Sequence, residues 1–253
     1  MPQRFESVLV TGASSGIGRE LVRVFARRGA RVVALARRAE RLDELAREPD
    51  LEGRVLPLVC DVADIDALRR AVAELDHGRA FDLVIANAGV GLGAHARTLA
   101  FEDLERTLQV NVLAAAATLH AALPGMLSRG RGTLCGVSSL AGSGGMPGSG
   151  AYAASKAALS TLLETFAIDL AGSGVRVCDV QPGYVHTEMT AGADHPLPFV
   201  WDVARAASHV ADRLERGRTR IRFPWQLVLA LDLLKLFPRV VWRIVFGRLV
   251  RDI

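Results

Sequence analysis

The sequence predicts an α/β fold: a doubly wound parallel sheet of about seven strands with helices on both faces, followed by a C-terminal helical tail. Three observations predict it. Short β-branched runs alternate with longer Ala-, Leu- and Arg-rich segments of helical period, the rhythm of a parallel sheet covered on both faces. With 253 residues and 50% hydrophobic side chains, the chain can bury one large core. No fixed-period repeat or charged linker divides it. We therefore expect one domain over residues 1–223, with an apolar and basic extension of that domain over 224–253.

Strands are expected at Ser7–Val10, Arg31–Ala36, Val55–Cys60, Leu83–Ala86, Gly132–Val137, Val175–Val180 and Thr219–Phe223. Between them the helical period selects Gly16–Arg28, Ala39–Ala46, Ile65–Leu75, one long helix Phe101–Leu127, Ala151–Ala171 and Val200–Arg216.

The first strand runs into Thr11, Gly12, Ala13, Ser14, Ser15, Gly16, Ile17 and Gly18 directly before a helix. Gly12 suits a tight turn, Gly16 lets backbone approach a pyrophosphate, and Gly18 lets the helix pack on the strand. Its position between a strand and a helix makes this motif stronger than a lone glycine pattern. The second strand ends in Ala36, Arg37 and Arg38, with no acid to hydrogen-bond ribose hydroxyls. Ala36 and Arg37 would not repel a 2′-phosphate, and the Arg37 guanidinium, with Arg38 beside it, could bind one, which favours NADP(H) over NAD(H); the pair could also simply open a solvated helix. Asp61, with Val62 beside it, follows the third strand, where its carboxylate could accept from an adenine amino group or close a turn. Asn87, Ala88 and Gly89 end the fourth strand with small residues and an amide that can tie strands together. Asn111 sits in an apolar stretch and, if buried, needs partners: backbone, or a trapped water near the site.

Ser138 and Ser139 leave the fifth strand, and Tyr152 and Lys156 lie one turn apart on the next helix. An ammonium beside the phenol is expected to favour the phenolate. Pro182 and Gly183 form a turn after the sixth strand, with Val185 and Thr187 beyond it. The six histidines share no metal-ligand spacing, so no metal site is expected. Cys60, Cys135 and Cys178 read as small hydrophobes in a reducing cytoplasm. Met1–Glu6 lacks the apolar segment of a signal peptide. A net charge of +4 is too small to argue for nucleic acid.

The joint pattern resembles the short-chain dehydrogenase/reductase family, in its short branch of about 250 residues. It is carried by Thr11–Gly18, Asp61, Asn87–Gly89, Asn111, Ser139, Tyr152-Ala-Ala-Ser-Lys156 and Pro182-Gly183 with Thr187. The resemblance implies a Rossmann-type sheet and hydride transfer between NAD(P)(H) and a small-molecule carbonyl or alcohol. It also implies a tetrad of Ser139, Tyr152, Lys156 and Asn111, in which Asn111 holds a water near Lys156. An idle NADP(H)-binding scaffold on the same fold is the alternative. The family also pairs helices across a two-fold, which implies a homodimer.

The pattern breaks after Phe223, which puts the common tetramer in doubt. Residues 213–253 carry ten basic and three acidic side chains, a net of +7, so residues 1–212 carry −3 of the total +4. Val241, Trp242, Val245, Phe246, Leu249 and Ile253 fall on one side of a helix, with arginines on the other. The tail is expected to attach the chain peripherally to the inner face of a membrane, or to cap an apolar substrate entrance; a tail packed on its own subunit or on a dimer mate is the alternative, since amphipathic helices usually face a core. Leu92, Met146, Tyr184, Met189 and Phe199 are the pocket-side candidates, and they lean toward a hydrophobic substrate.

Overall fold

The computed structural model describes residues 3–192 and 197–248. Met1, Leu249 and Ile253, named above, lie outside the described residues, as do His195 among the six histidines and Arg251 among the tail arginines. Seven parallel strands form the sheet: β1 Ser7–Thr11, β2 Arg31–Ala36, β3 Val55–Val59, β4 Leu83–Ala86, β5 Gly132–Val137, β6 Val175–Pro182 and β7 Arg220–Phe223. Their spatial order is β3-β2-β1-β4-β5-β6-β7. Order reverses between β1 and β4, which opens a crevice at the carboxyl ends of those strands. Pro57 cannot donate to a ladder, and it stands in β3 at the sheet edge.

Two apolar layers sandwich the sheet because strands buried on both faces alternate side chains between them. Val8, Val10 and Ile85 point to the layer of α1 Gly16–Arg27, α2 Ala39–Ala46 and α7 Val203–Glu215. Leu9, Val33 and Val84 point to the other, built from α3 Ile65–Arg79, α5 Ala115–Arg129 and α6 Gly150–Asp169. Asp64 caps α3 by accepting from the Ala67 amide at 3.0 Å.

The expected helix from Phe101 to Leu127 is not continuous. It divides into α4 Phe101–Leu108, a π-helical turn over Gln109–Ala114, and α5. A π turn takes in one extra residue and re-aims the face that follows, and here it turns Asn111 fully inside. Elsewhere the strand and helix ends shift by a few residues, most at α3, which runs on to Arg79.

The tail is helical and folded back. Helices α8 Trp225–Lys235 and α9 Arg239–Arg248 pack with Leu140 in a small apolar cluster of Leu231 and Trp242, with Met146, Leu227 and Phe246 around it. The Trp242 indole N–H donates to the Gly145 carbonyl at 2.7 Å. The apolar side expected for α9 is realised in part: Trp242 is buried, whereas Val245 is 45% exposed.

Candidate active site

At the carboxyl edge of the sheet a cleft of about 280 Å³ opens across the point where strand order reverses. Gly12, Ser14, Ser15, Gly16 and Ile17 line it from the turn between β1 and α1. Arg37, Arg38, Asp61, Val62, Asn87, Ala88 and Gly89 line it from the ends of β2, β3 and β4. Ser139, Tyr152, Lys156, Pro182, Gly183, Val185 and Thr187 complete the far wall. Of the catalytic and cofactor-binding candidates, Gly18 and Asn111 do not line it.

Gly12 holds φ +69, and a Cβ there would meet the Ala88 Cα at 2.8 Å, so the turn needs glycine twice over. Gly18 is packing rather than lining, because a Cβ would strike the Gly12 carbonyl. Gly16, at φ +55, begins α1. The α1 first turn carries no acid, and the side chain of Ser15 makes no cap bond to it. Its free amides and positive dipole end therefore face the cleft without a protein partner from that cap, which suits the pyrophosphate of a dinucleotide. Asn87 fixes the floor. Its side-chain amide donates to the Thr11 carbonyl at 2.9 Å, and its backbone N–H donates to the Thr11 hydroxyl at 3.0 Å.

The two arginines behave differently. Arg37 is half exposed and lies 3.6 Å from Asp61. Arg38 reaches back across the glycine turn, donating to the Ser14 hydroxyl at 3.1 Å and the Ser15 hydroxyl at 2.6 Å, and it pairs with Glu188 at 2.9 Å. Arg38 is thus the guanidinium held over the glycine turn, and Ser15, which offers no charge of its own, helps to hold it. Asp61 accepts from the Ala63 amide at 3.0 Å, the turn-closing role.

The adjacent serines divide. Ser139 caps the short 3₁₀ turn Leu140–Ser143, accepting from the Ala141 amide at 3.1 Å, and its hydroxyl reaches the Pro182 carbonyl at 3.3 Å while facing the Tyr152 phenol. Ser138 turns inward and donates to the Asp179 carboxylate at 2.5 Å. Lys156 is 4% exposed, and its ammonium donates to the Val137 carbonyl at 2.8 Å and lies 5.7 Å from the Tyr152 ring centroid.

The expectation that Lys156 pulls the phenol toward its phenolate is not met in this geometry. Burial raises the Tyr152 pKa and the Ser139 hydroxyl only partly opposes it, so the side chain is a neutral phenol at pH 7. Burial instead acts on the lysine, lowering it from 10.5 to about 8, with Asp179 pulling the other way.

Asn111 finds the backbone partners that its burial requires. Its amide donates to the Val90 carbonyl at 3.0 Å and to the Ser155 hydroxyl at 3.0 Å, and its oxygen accepts from the Val90 amide at 2.8 Å. Both donor hydrogens are therefore used within the protein, strapping the π turn to the β4 exit and to α6. Among the pocket-side candidates only Met189 lines the cleft; Met146 belongs to the cluster under α8 and α9, and Phe199 is 54% exposed.

The sequence reading missed two acids. Asp179 is 5% exposed within β6 and is bound by Ser138, Ser160 and Gln181. A charged residue in the middle of the apolar run Val175–Val180 was the available signal, since buried carboxylates need partners. Glu188 lines the cleft and contacts Arg38. Nothing in its local sequence pointed to that contact, which joins segments 150 residues apart.

Fold and cleft together define a dinucleotide-binding oxidoreductase class. The family model for short chain dehydrogenase matches residues 6–197. An uncharacterized oxidoreductase of Myxococcus xanthus is 44% identical over 236 residues, 92% of this chain and 93% of that one. A short-chain dehydrogenase from Sphingobium yanoikuyae, solved in complex with NADPH, superposes with TM-score 0.82 at 31% identity, covering 91% of this chain and 92% of its own. One from Burkholderia cenocepacia, in complex with NADP, gives TM-score 0.83 at 27% identity, covering 99% of both chains. This chain belongs to the short-chain dehydrogenase/reductase family.

Proposed function

We propose that the chain is an NADP(H)-dependent oxidoreductase interconverting a carbonyl and an alcohol on a small-molecule substrate. The observation that carries this reading is one cleft with Arg38 over a glycine turn at one end and Ser139, Tyr152 and Lys156 at the other. The Sphingobium and Burkholderia relatives, solved with NADPH and NADP, support the choice of nucleotide. Gly12–Ile17 would hold the pyrophosphate, Arg38 and Arg37 a 2′-phosphate, Asn87–Gly89 the adjoining ribose, and Pro182–Thr187 the nicotinamide side. When bound, the reduced nucleotide supplies a hydride to the carbonyl carbon.

The chain's own groups supply the rest. The hydroxyls of Ser139 and Tyr152 converge, so both would hydrogen-bond the substrate oxygen and stabilise negative charge growing there. Tyr152, protonated at neutral pH, gives that oxygen its proton in the reductive direction. Lys156, with a pKa of about 8, can exchange a proton near neutrality and restore the phenol. Asn111 acts one step back, by fixing the β4 exit and α6 relative to each other. Asp179 would keep Lys156 charged by placing a carboxylate behind it. Followed by NADPH absorbance, a panel of aldehydes and ketones tests the reading: turnover with at least one, and slower turnover with NADH, is expected. No turnover across the panel, despite NADPH binding, would favour the idle scaffold.

A further inference from the structure

Helices α8 and α9 are apolar on two opposite sides, and the fold uses one. On α8, Leu227, Leu231 and Leu234 recur at helical spacing on the packed side, while Trp225, Leu229 and Leu233 recur at four-residue spacing on the other. On α9, Trp242 and Phe246 pack inward, whereas Val240 and Ile244 stand about half a turn away and outside. Trp225 is 68% exposed, Leu233 51% and Ile244 51%. Of the sixteen exposed large hydrophobic residues among those described, eight fall between Trp225 and Val245. Scattered singly they would need no explanation, but concentrated on one short helical pair they mark a contact surface.

Charge says what kind of contact. Asp232 is neutralised by a bidentate pair with Arg222, both bonds 2.7 Å. Lys235 and Arg243 are exposed among the apolar positions. The surrounding segment 213–253 carries net +7 against −3 for the remainder of the chain. A second copy docking through this face across a two-fold would set each positive surface against itself. An anionic partner meets both requirements. Eleven and ten residues are too short to cross a hydrocarbon core, which needs about 20, but they suffice to lie in its interface.

We propose that the outer face of α8 and α9 docks on an anionic phospholipid surface, with Trp225, Leu229, Leu233 and Ile244 entering the acyl boundary and Lys235 and Arg243 meeting headgroups. The inner face meanwhile stays seated on the turn after β5, so docking and capping use opposite sides of the same helices. Because that turn follows Ser139, the docked face lies close behind the candidate site.

Vesicle flotation with the full chain tests this, comparing phosphatidylcholine vesicles with vesicles also containing phosphatidylglycerol. Each well-placed cation adds about 1 kcal/mol at an anionic surface, so two give roughly thirtyfold stronger partitioning on the anionic vesicles. Leu233→Ser with Ile244→Ser should abolish flotation without lowering the melting temperature, since both side chains are half exposed. Lys235→Gln with Arg243→Gln should remove the preference for anionic lipid and leave the apolar face intact. Absence of flotation, or equal binding to both vesicles, overturns the proposal. So does a serine variant that splits a dimer in light scattering while the full chain ignores lipid, because the face would then join two copies. None of these readouts depends on enzymatic turnover.

Discussion

Replacing Lys156 with Met tests the electrostatics of the site through stability as well as activity. The ammonium sits at about 8 against an ordinary 10.5 because burial disfavours its charge. At about 1.4 kcal/mol per pKa unit, charging it in the folded state costs about 3 kcal/mol. The unfolded chain binds the proton more tightly, so this cost is fully present below pH 8, and wild-type stability rises as pH climbs from 8 to 10.5. Methionine keeps most of the volume and removes the charge, which restores that amount. Loss of the bond from Nζ to the Val137 carbonyl takes back about 1 kcal/mol. The variant should therefore be more stable by about 2 kcal/mol at pH 7, or roughly 4 to 8 °C in melting temperature. Above pH 10.5 only the lost bond remains, and the variant should be less stable by about 1 kcal/mol. Thermal unfolding across pH 6 to 11 reads this directly, and the two curves should cross inside the window. Parallel curves would refute the reasoning, because they would show a lysine titrating alike in folded and unfolded chains.

Arg38→Ala should weaken NADPH binding roughly ten- to a hundredfold and leave NADH nearly unchanged, with Arg37→Ala having the smaller effect; fluorescence titration of both nucleotides checks it. Asp179→Asn keeps the shape of the network around Ser138 and Ser160 but removes the charge that raises the Lys156 pKa. Any pH-rate limb that belongs to Lys156 should move to lower pH, an effect that a purely structural role would not produce. Phe101, Leu113 and Ile168 are exposed on or between helices α4 and α6, and we expect these helices to pair two chains. Light scattering should give a homodimer at micromolar concentration, and Ile168→Glu should dissociate it.

Much of this architecture could be read from periodicity because local and tertiary preferences agree. Strands such as Leu83–Ala86 and Gly132–Val137 are mostly β-branched or small, buried on both faces, and bounded by turn residues. The glycine turn was legible because its backbone needs glycine independently of any ligand. Of the adjacent serines the family resemblance selects Ser139, and the two side chains do diverge, one toward the cleft and one onto Asp179.

What remained hidden depends on contacts between distant segments. The π turn at Asn111 answers Val90 and Ser155, so helical periodicity alone could not locate it. The partition of Arg37 and Arg38 is set by Glu188, far along the chain. Tyr152 and Lys156 were rightly placed near each other, but spacing says nothing about burial, and burial decides the direction of both pKa shifts. On α9 a helical wheel cannot show that Val240 and Ile244 stay outside while Trp242 turns in.

The most direct measurement of the central claim is the rate of NADPH oxidation by Tyr152→Phe against wild type, with a carbonyl compound that the wild-type chain reduces. Only a hydroxyl is removed, so the fold and nucleotide affinity should survive while turnover falls by about a hundred- to ten-thousandfold. Turnover within tenfold of wild type, with nucleotide binding intact, would mean that the proton comes from another group and that this cleft does not work as assigned.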